Sequence, residues 1–128
     1  MNTISVETLH AWLEEGRALT LLDVRQTGER AEGAIAGSVH LDAYDALQAH
    51  DPAALAALSL PTDRPVVTIC TAGKVASQVA TEQIAARGLQ AFSLEGGVRA
   101  WRASGYPLQL DSLNGDRTEC ESRTQENL

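Results

Sequence analysis

The segment Val66–Cys70, VVTIC, is short, apolar and β-branched, and it constrains the fold more than any other stretch of the chain. Valine, isoleucine and threonine restrict χ1 and suit a pleated sheet. Apolar residues at successive rather than alternate positions describe a strand buried on both faces, the setting of a parallel sheet covered by helices. Parallel strands need crossover connections, and the flanking sequence supplies them. Ser5 predicts the cap of a helix over VETLHAWLEE, where Val6, Leu9, Trp12 and Leu13 share a face and Gly16 supplies the stop. Leu19–Val24 reads as a second buried strand, Val39–Leu41 as a short one and Gln90–Leu94 as another. Arg25–Gly37 reads as a loop with one helical turn.

DAYDALQAH and PAALAAL predict two short helices, the second capped by Asp51 with Pro52 at its first position. The loop TAGKVA leads into a helix through Arg87, which carries an Ala80, Ile84 and Ala85 stripe and ends at Gly88. EGGVRAWRASGYP then predicts a glycine turn, a short helix and a stop at Gly105 and Pro107. Alternating strands and helices imply an α/β domain with a mostly parallel sheet and helices on both faces.

A chain of 128 residues fits one domain. From Asp111 onward, DSLNGDRTECESRTQENL has little apolar content, so the expectation is a globular unit over residues 1–110 and a polar, flexible tail over 111–128. A net charge of -7 disfavours a general binder of nucleic acid or anionic membranes, both of which attract basic surfaces. An anionic substrate would therefore need local positive charge. MNTISVETLHAWLEEG lacks the basic-then-apolar pattern of a signal peptide, and no run approaches membrane-spanning length. Two cysteines are too few for a disulfide framework, and the expected location is a reducing cytoplasm.

One of those cysteines, Cys70, ends the central strand, and ligands of open parallel sheets gather beyond the carboxyl ends of strands. A loop turning there into a helix can supply backbone N–H groups and positive potential, which together cradle an anion and favour a thiolate over a thiol. Gly73 can take the backbone angles this cradle needs, and Lys74 can add a mobile charge. A cysteine in that position also reads as a small buried hydrophobe, and a bridge to Cys120 is a third reading. His10, His40 and His50 lie at scattered spacings that offer no zinc-ligand pair with the cysteines.

Three separated segments carry a resemblance. LLDVRQTGERAEGAIAGSVHL, residues 21–41, resembles the rhodanese signature in Asp23, Arg25, Glu29, Gly33, Ile35 and Gly37, with Ala34 in place of the usual histidine. VVTICTAGKVASQVATEQIAARGL is similar to that family's strand, active-site loop and helix. LEGGVRAWRASGYPL is similar to its closing motif through Gly96, Gly97, Trp101, Gly105 and Pro107. The resemblance spans Ile4 to Leu108 and implies a single-domain rhodanese-like fold with about five strands.

It also implies sulfur transfer without a metal or organic cofactor: Cys70 as nucleophile and persulfide carrier, with Thr71, Ala72, Gly73, Lys74, Val75 and Ala76 as the substrate-binding loop and Arg25 as a further pocket residue. The implied partners are a small anionic donor such as thiosulfate, a cyanide or thiol acceptor, and a sulfur-relay protein. Many members carry an arginine at the sixth loop position, where this chain has Val75. Phosphatases and arsenate reductases of the same fold depend on an arginine at the loop's end, where Ala76 or Ser77 stands, so that chemistry is disfavoured. Ser77 is expected to cap the following helix, and Asp23, Arg25 and Glu29 to serve the scaffold. The alternative from another functional class is a partner-dependent persulfide carrier or regulatory module.

Overall fold

The computed structural model describes residues 2–110. The tail expected over 111–128, with Cys120, lies outside the described residues. Ten elements follow one another: β1 (Thr3–Ile4), α1 (Val6–Glu14), β2 (Thr20–Asp23), α2 (Thr27–Arg30), β3 (Val39–His40), α3 (Tyr44–Gln48), β4 (Val66–Ile69), α4 (Val75–Ala85), β5 (Ala91–Leu94) and α5 (Gly97–Ala103). The strands form one parallel sheet in the order β1-β5-β4-β2-β3. VVTIC therefore occupies the centre, and all four residues of β4 are buried.

Strand parity sorts the core into two layers. Leu22 and Val24 of the β2 segment, with Val66 and Cys70 of the β4 segment, pack against Leu47, Leu55, Val79, Ala80 and Ile84 on the α3/α4 side. Leu21, Val67, Ile69 and Leu94 pack against Val6, Leu9, Val98 and Trp101 on the α1/α5 side. Ser5 caps α1 by accepting the Thr8 N–H at 3.1 Å. Trp101 is buried and donates its indole N–H to the Pro107 carbonyl at 2.8 Å, which closes the domain's end.

Two elements depart from expectation. β1 pairs Thr3 with Ser93 and Ile4 with Leu94, yet two residues carry no readable strand period. PAALAAL forms successive turns rather than a helix: the Ala54, Ala56 and Leu58 amides each reach back three residues, to Asp51, Ala53 and Leu55. Asp51 does accept the Ala53 N–H at 2.9 Å, so the cap is present without the helix. A short alanine-rich segment gains too few bonds to repay helix nucleation.

A charged group sits where β2 leaves the sheet. Asp23 is 1% exposed and Arg25 3% exposed, and the guanidinium contacts the carboxylate through Nε at 3.0 Å and Nη2 at 2.7 Å. Arg30 reaches the same carboxylate at 3.4 Å and the Ser38 hydroxyl at 2.8 Å. Asp23→Asn removes the buried charge that faces the Arg25 guanidinium and is expected to lower stability by about 3–5 kcal/mol, read as a shifted urea midpoint with unchanged slope.

Candidate active site

Cys70 follows β4 directly, is 4% exposed and is a free thiol. Its Sγ accepts the Gly73 N–H at 3.2 Å, so the loop folds back over the sulfur. Gly73 has φ +69°, and a Cβ there would lie 2.5 Å from the Leu94 carbonyl oxygen and 2.6 Å from the Gly96 nitrogen. Only glycine lets the loop pass this close to the β5–α5 turn. That turn grips the loop in return: Val98 and Arg99 donate their N–H groups to the Cys70 and Thr71 carbonyls at 2.9 Å each. Gly97, at φ +60°, faces those same carbonyls, which a side chain would strike.

The helix after the loop starts at Val75, two residues before the expected cap. Ser77 is consequently interior, fully buried, with its hydroxyl 2.8 Å from that of Ser93; Lys74 occupies the cap position without a side-chain cap bond. The first turn keeps its unpaired donors. Among the described residues, the amides of Thr71, Ala72, Lys74, Val75 and Ala76 have no protein acceptor.

These five residues and Cys70 form one side of a cavity of about 370 Å³. The other side comes from distant elements: Glu29 of α2, Tyr44 and Gln48 of α3, and Arg99 of α5. Glu29 accepts a hydrogen bond from the Thr71 hydroxyl, which ties α2 to the loop. The start of α2 is fixed by Asp42, whose carboxyl the Thr27 amide and then the Thr27 hydroxyl hold below its ordinary value of 3.8.

Lys74 and Arg99 make no side-chain hydrogen bond or ion pair among the described residues, so two uncommitted cations line the cavity that holds the thiol. Val75, 39% exposed, presents an apolar wall to the cavity. Ala76, in contrast, is 1% exposed.

Arg25 stands outside this cavity. It lines a neighbouring hollow, and its guanidinium is committed to Asp23 and to the Glu29 and Gly33 carbonyls. His40 Nε2 lies 2.7 Å from the Arg25 carbonyl oxygen, away from the thiol. The sequence carried a partial signal for Arg99, which sits inside the GGVRAW motif. Tyr44 and Gln48 share a face of α3 by their four-residue spacing, but nothing in that spacing says which loop they meet. Among the described residues, no group of three His, Cys, Asp or Glu side chains is placed to hold a metal.

The family model for the rhodanese-like domain matches residues 5–104. The chain belongs to the rhodanese-like domain family. A Bacillus subtilis protein, YtwF, which carries a provisional sulfurtransferase name, is 30% identical over 104 residues, covering 81% of this chain and 93% of that protein. A tRNA sulfurtransferase of Desulfurococcus amylolyticus is 34% identical over 83 residues, which cover 65% of this chain but only 15% of that longer protein. A crystal structure of a rhodanese-related protein from Thermoplasma volcanium superposes with a TM-score of 0.69 at 29% identity, covering 87% of this chain and all of that one. A rhodanese-like domain protein from Staphylococcus aureus gives a TM-score of 0.67 at 26% identity, covering 88% of this chain and 100% of that one. The rhodanese-like sheet is thus the expected one, and the relatives named above place the chain among sulfurtransferase-type proteins.

In this rhodanese-like domain the loop has no slack at Gly73. Gly73→Ala is expected to cost about 2–5 kcal/mol through left-handed strain and backbone overlap, measured by urea unfolding. Equal midpoints for variant and wild type would show that the loop yields.

Proposed function

We propose that this rhodanese-like domain moves a sulfane sulfur from thiosulfate or a related anionic donor to cyanide or a thiol through a persulfide on Cys70. The observation that carries the reading is a thiol bordered by five unengaged loop amides in an open cavity. In the first step the Cys70 thiolate attacks the outer sulfur of thiosulfate. The donor's sulfur–sulfur bond breaks, and sulfite leaves with the electron pair. In the second, cyanide or a thiolate attacks the outer sulfur of the persulfide, and the pair returns to Cys70 Sγ. No external oxidant or reductant enters, and each displacement replaces one sulfur bond by another.

The amides of Thr71, Ala72, Gly73, Lys74, Val75 and Ala76 stabilise negative charge on the thiolate, the persulfide and the departing anion, being oriented before reaction. Lys74 and Arg99 attract the donor into a protein of net charge -7. Arg25 acts from behind, by holding the α2 backbone that carries Glu29. The site so described calls for no cofactor. None of the described helices is long and apolar enough to cross a membrane, and a reducing cytoplasm suits a chemistry that consumes a free thiol.

Val75 favours a second reading. An exposed apolar wall beside the thiol is a contact surface for a sulfur-relay protein, which would deliver or collect sulfur where free thiosulfate turns over poorly.

Intact mass after incubation with thiosulfate tests both. The expected result is a gain of one sulfur in wild type and Cys120→Ser, absent in Cys70→Ser and removed by cyanide. No gain on wild type overturns the thiosulfate reading, and a gain only from a persulfidated protein donor selects the relay. Lys74→Ala is expected to raise the thiosulfate KM about three- to tenfold with a smaller change in kcat; an unchanged KM would remove Lys74 from donor binding.

A further inference from the structure

A second hollow of about 280 Å³ opens beside the Cys70 cavity and shares Glu29, Thr71 and Arg99 with it. Its own walls include Glu32, just beyond α2, and Arg102 of α5. Arg99, Arg102 and Glu32 are exposed, and among the described residues their side chains make no hydrogen bond or ion pair. The lining therefore has two uncommitted guanidiniums from one helix and an uncommitted carboxylate from another segment. Arg99 and Arg102 are three residues apart and so share a helix face.

A small inorganic donor needs none of this second space. Cyanide and thiosulfate carry negative charge alone, and Glu32 would repel them. Two forked guanidiniums suit a carboxylate, and a carboxylate suits an ammonium group. A lining of mixed sign accepts a molecule carrying both charges and disfavours one carrying either alone.

We propose that the second hollow binds the organic part of a low-molecular-weight zwitterionic thiol, an amino acid or short peptide, that receives the sulfur from Cys70. Arg99 and Arg102 hold its carboxylate, Glu32 holds its ammonium, and its sulfur enters the first cavity past the shared Thr71 and Glu29. The acceptor thiolate attacks the outer persulfide sulfur, a new sulfur–sulfur bond forms on the acceptor, and the Cys70 Sγ–S bond breaks with its electron pair on Sγ. This proposal rests on the reading of Cys70 as sulfur carrier and names the acceptor for that site.

The test uses the full chain, loaded with thiosulfate and freed of donor, then discharged by L-cysteine, 3-mercaptopropionate, cysteamine or 2-mercaptoethanol. Rates are expressed per thiolate present. L-cysteine is expected to exceed 2-mercaptoethanol by about tenfold or more in kcat/KM. Arg102→Gln should bring that ratio to within about twofold, and Glu32→Gln should do the same for L-cysteine against 3-mercaptopropionate. Comparing ratios between variant and wild type cancels the thiols' own reactivities and any partial loss of fold. Ratios unchanged by both substitutions overturn the proposal.

A binding measurement separates its failure from that of sulfur transfer itself. S-methyl-L-cysteine, titrated into Cys70→Ser and followed by amide chemical shifts, is expected to move Arg99 and Arg102 saturably, and to lose that response when Arg102→Gln is added. Absence of any saturable response overturns the site even where Cys70 carries sulfur. A response without persulfide formation upholds the site and overturns the transfer reading.

Discussion

A single buried carboxylate organises the irregular half of this molecule. Asp23 ends β2 with almost no access to water and receives two guanidiniums, from Arg25 and Arg30. An isolated charge would not survive there, so the chain beyond β2 must bring its cations back to the same point. Arg25 continues to the Glu29 and Gly33 carbonyls, and Arg30 to Ser38. The excursion between β2 and β3 is thus held by charge where it lacks the length for a core of its own. Glu29 is carried on that excursion, so the wall of the thiol cavity inherits its position from a charge on the neighbouring strand, where Asp23 pairs with Ile69.

The loop is held by a different means. Its hydrogen bonds to the β5–α5 turn run backbone to backbone, and two glycines let the chains approach. Side chains are left out of that fastening, which frees Lys74 and Arg99 for solutes. The arrangement joins a rigid sulfur to adaptable charges.

Much of this is legible in the sequence. VVTIC announced a central parallel strand because its composition fits burial on both faces, and the thiol at its end followed from the same run. Ser5 marks the start of α1 through cap chemistry alone, whereas α4 ends at Ala85, two residues short of Arg87, and Gly88 closes the turn that follows. What escaped the sequence was long-range. β1 exists because β5 offers an edge, not because Thr3 and Ile4 insist on a strand. PAALAAL has helical composition, but the chain turns before a second helical turn can form. Ser77 looked like a cap, yet the backbone at Val75 was already helical, and Ser93 was waiting for its hydroxyl. Tyr44, Gln48 and Arg99 share a cavity with Cys70 only because the fold brings their elements to one end of the sheet.

The alternation of side chains along β4 has one more consequence. Val66, Thr68 and Cys70 project to one layer and Val67 and Ile69 to the other. Removing or adding one residue within this strand would deliver the sulfur beneath α1 and α5, on the far side from Tyr44 and Gln48, and would exchange every apolar partner at once. Turns around the sheet can lengthen at little cost, but β4 cannot. Descendants of this sequence should therefore gain and lose residues between Asp51 and Pro65 long before they do so between Pro65 and Cys70.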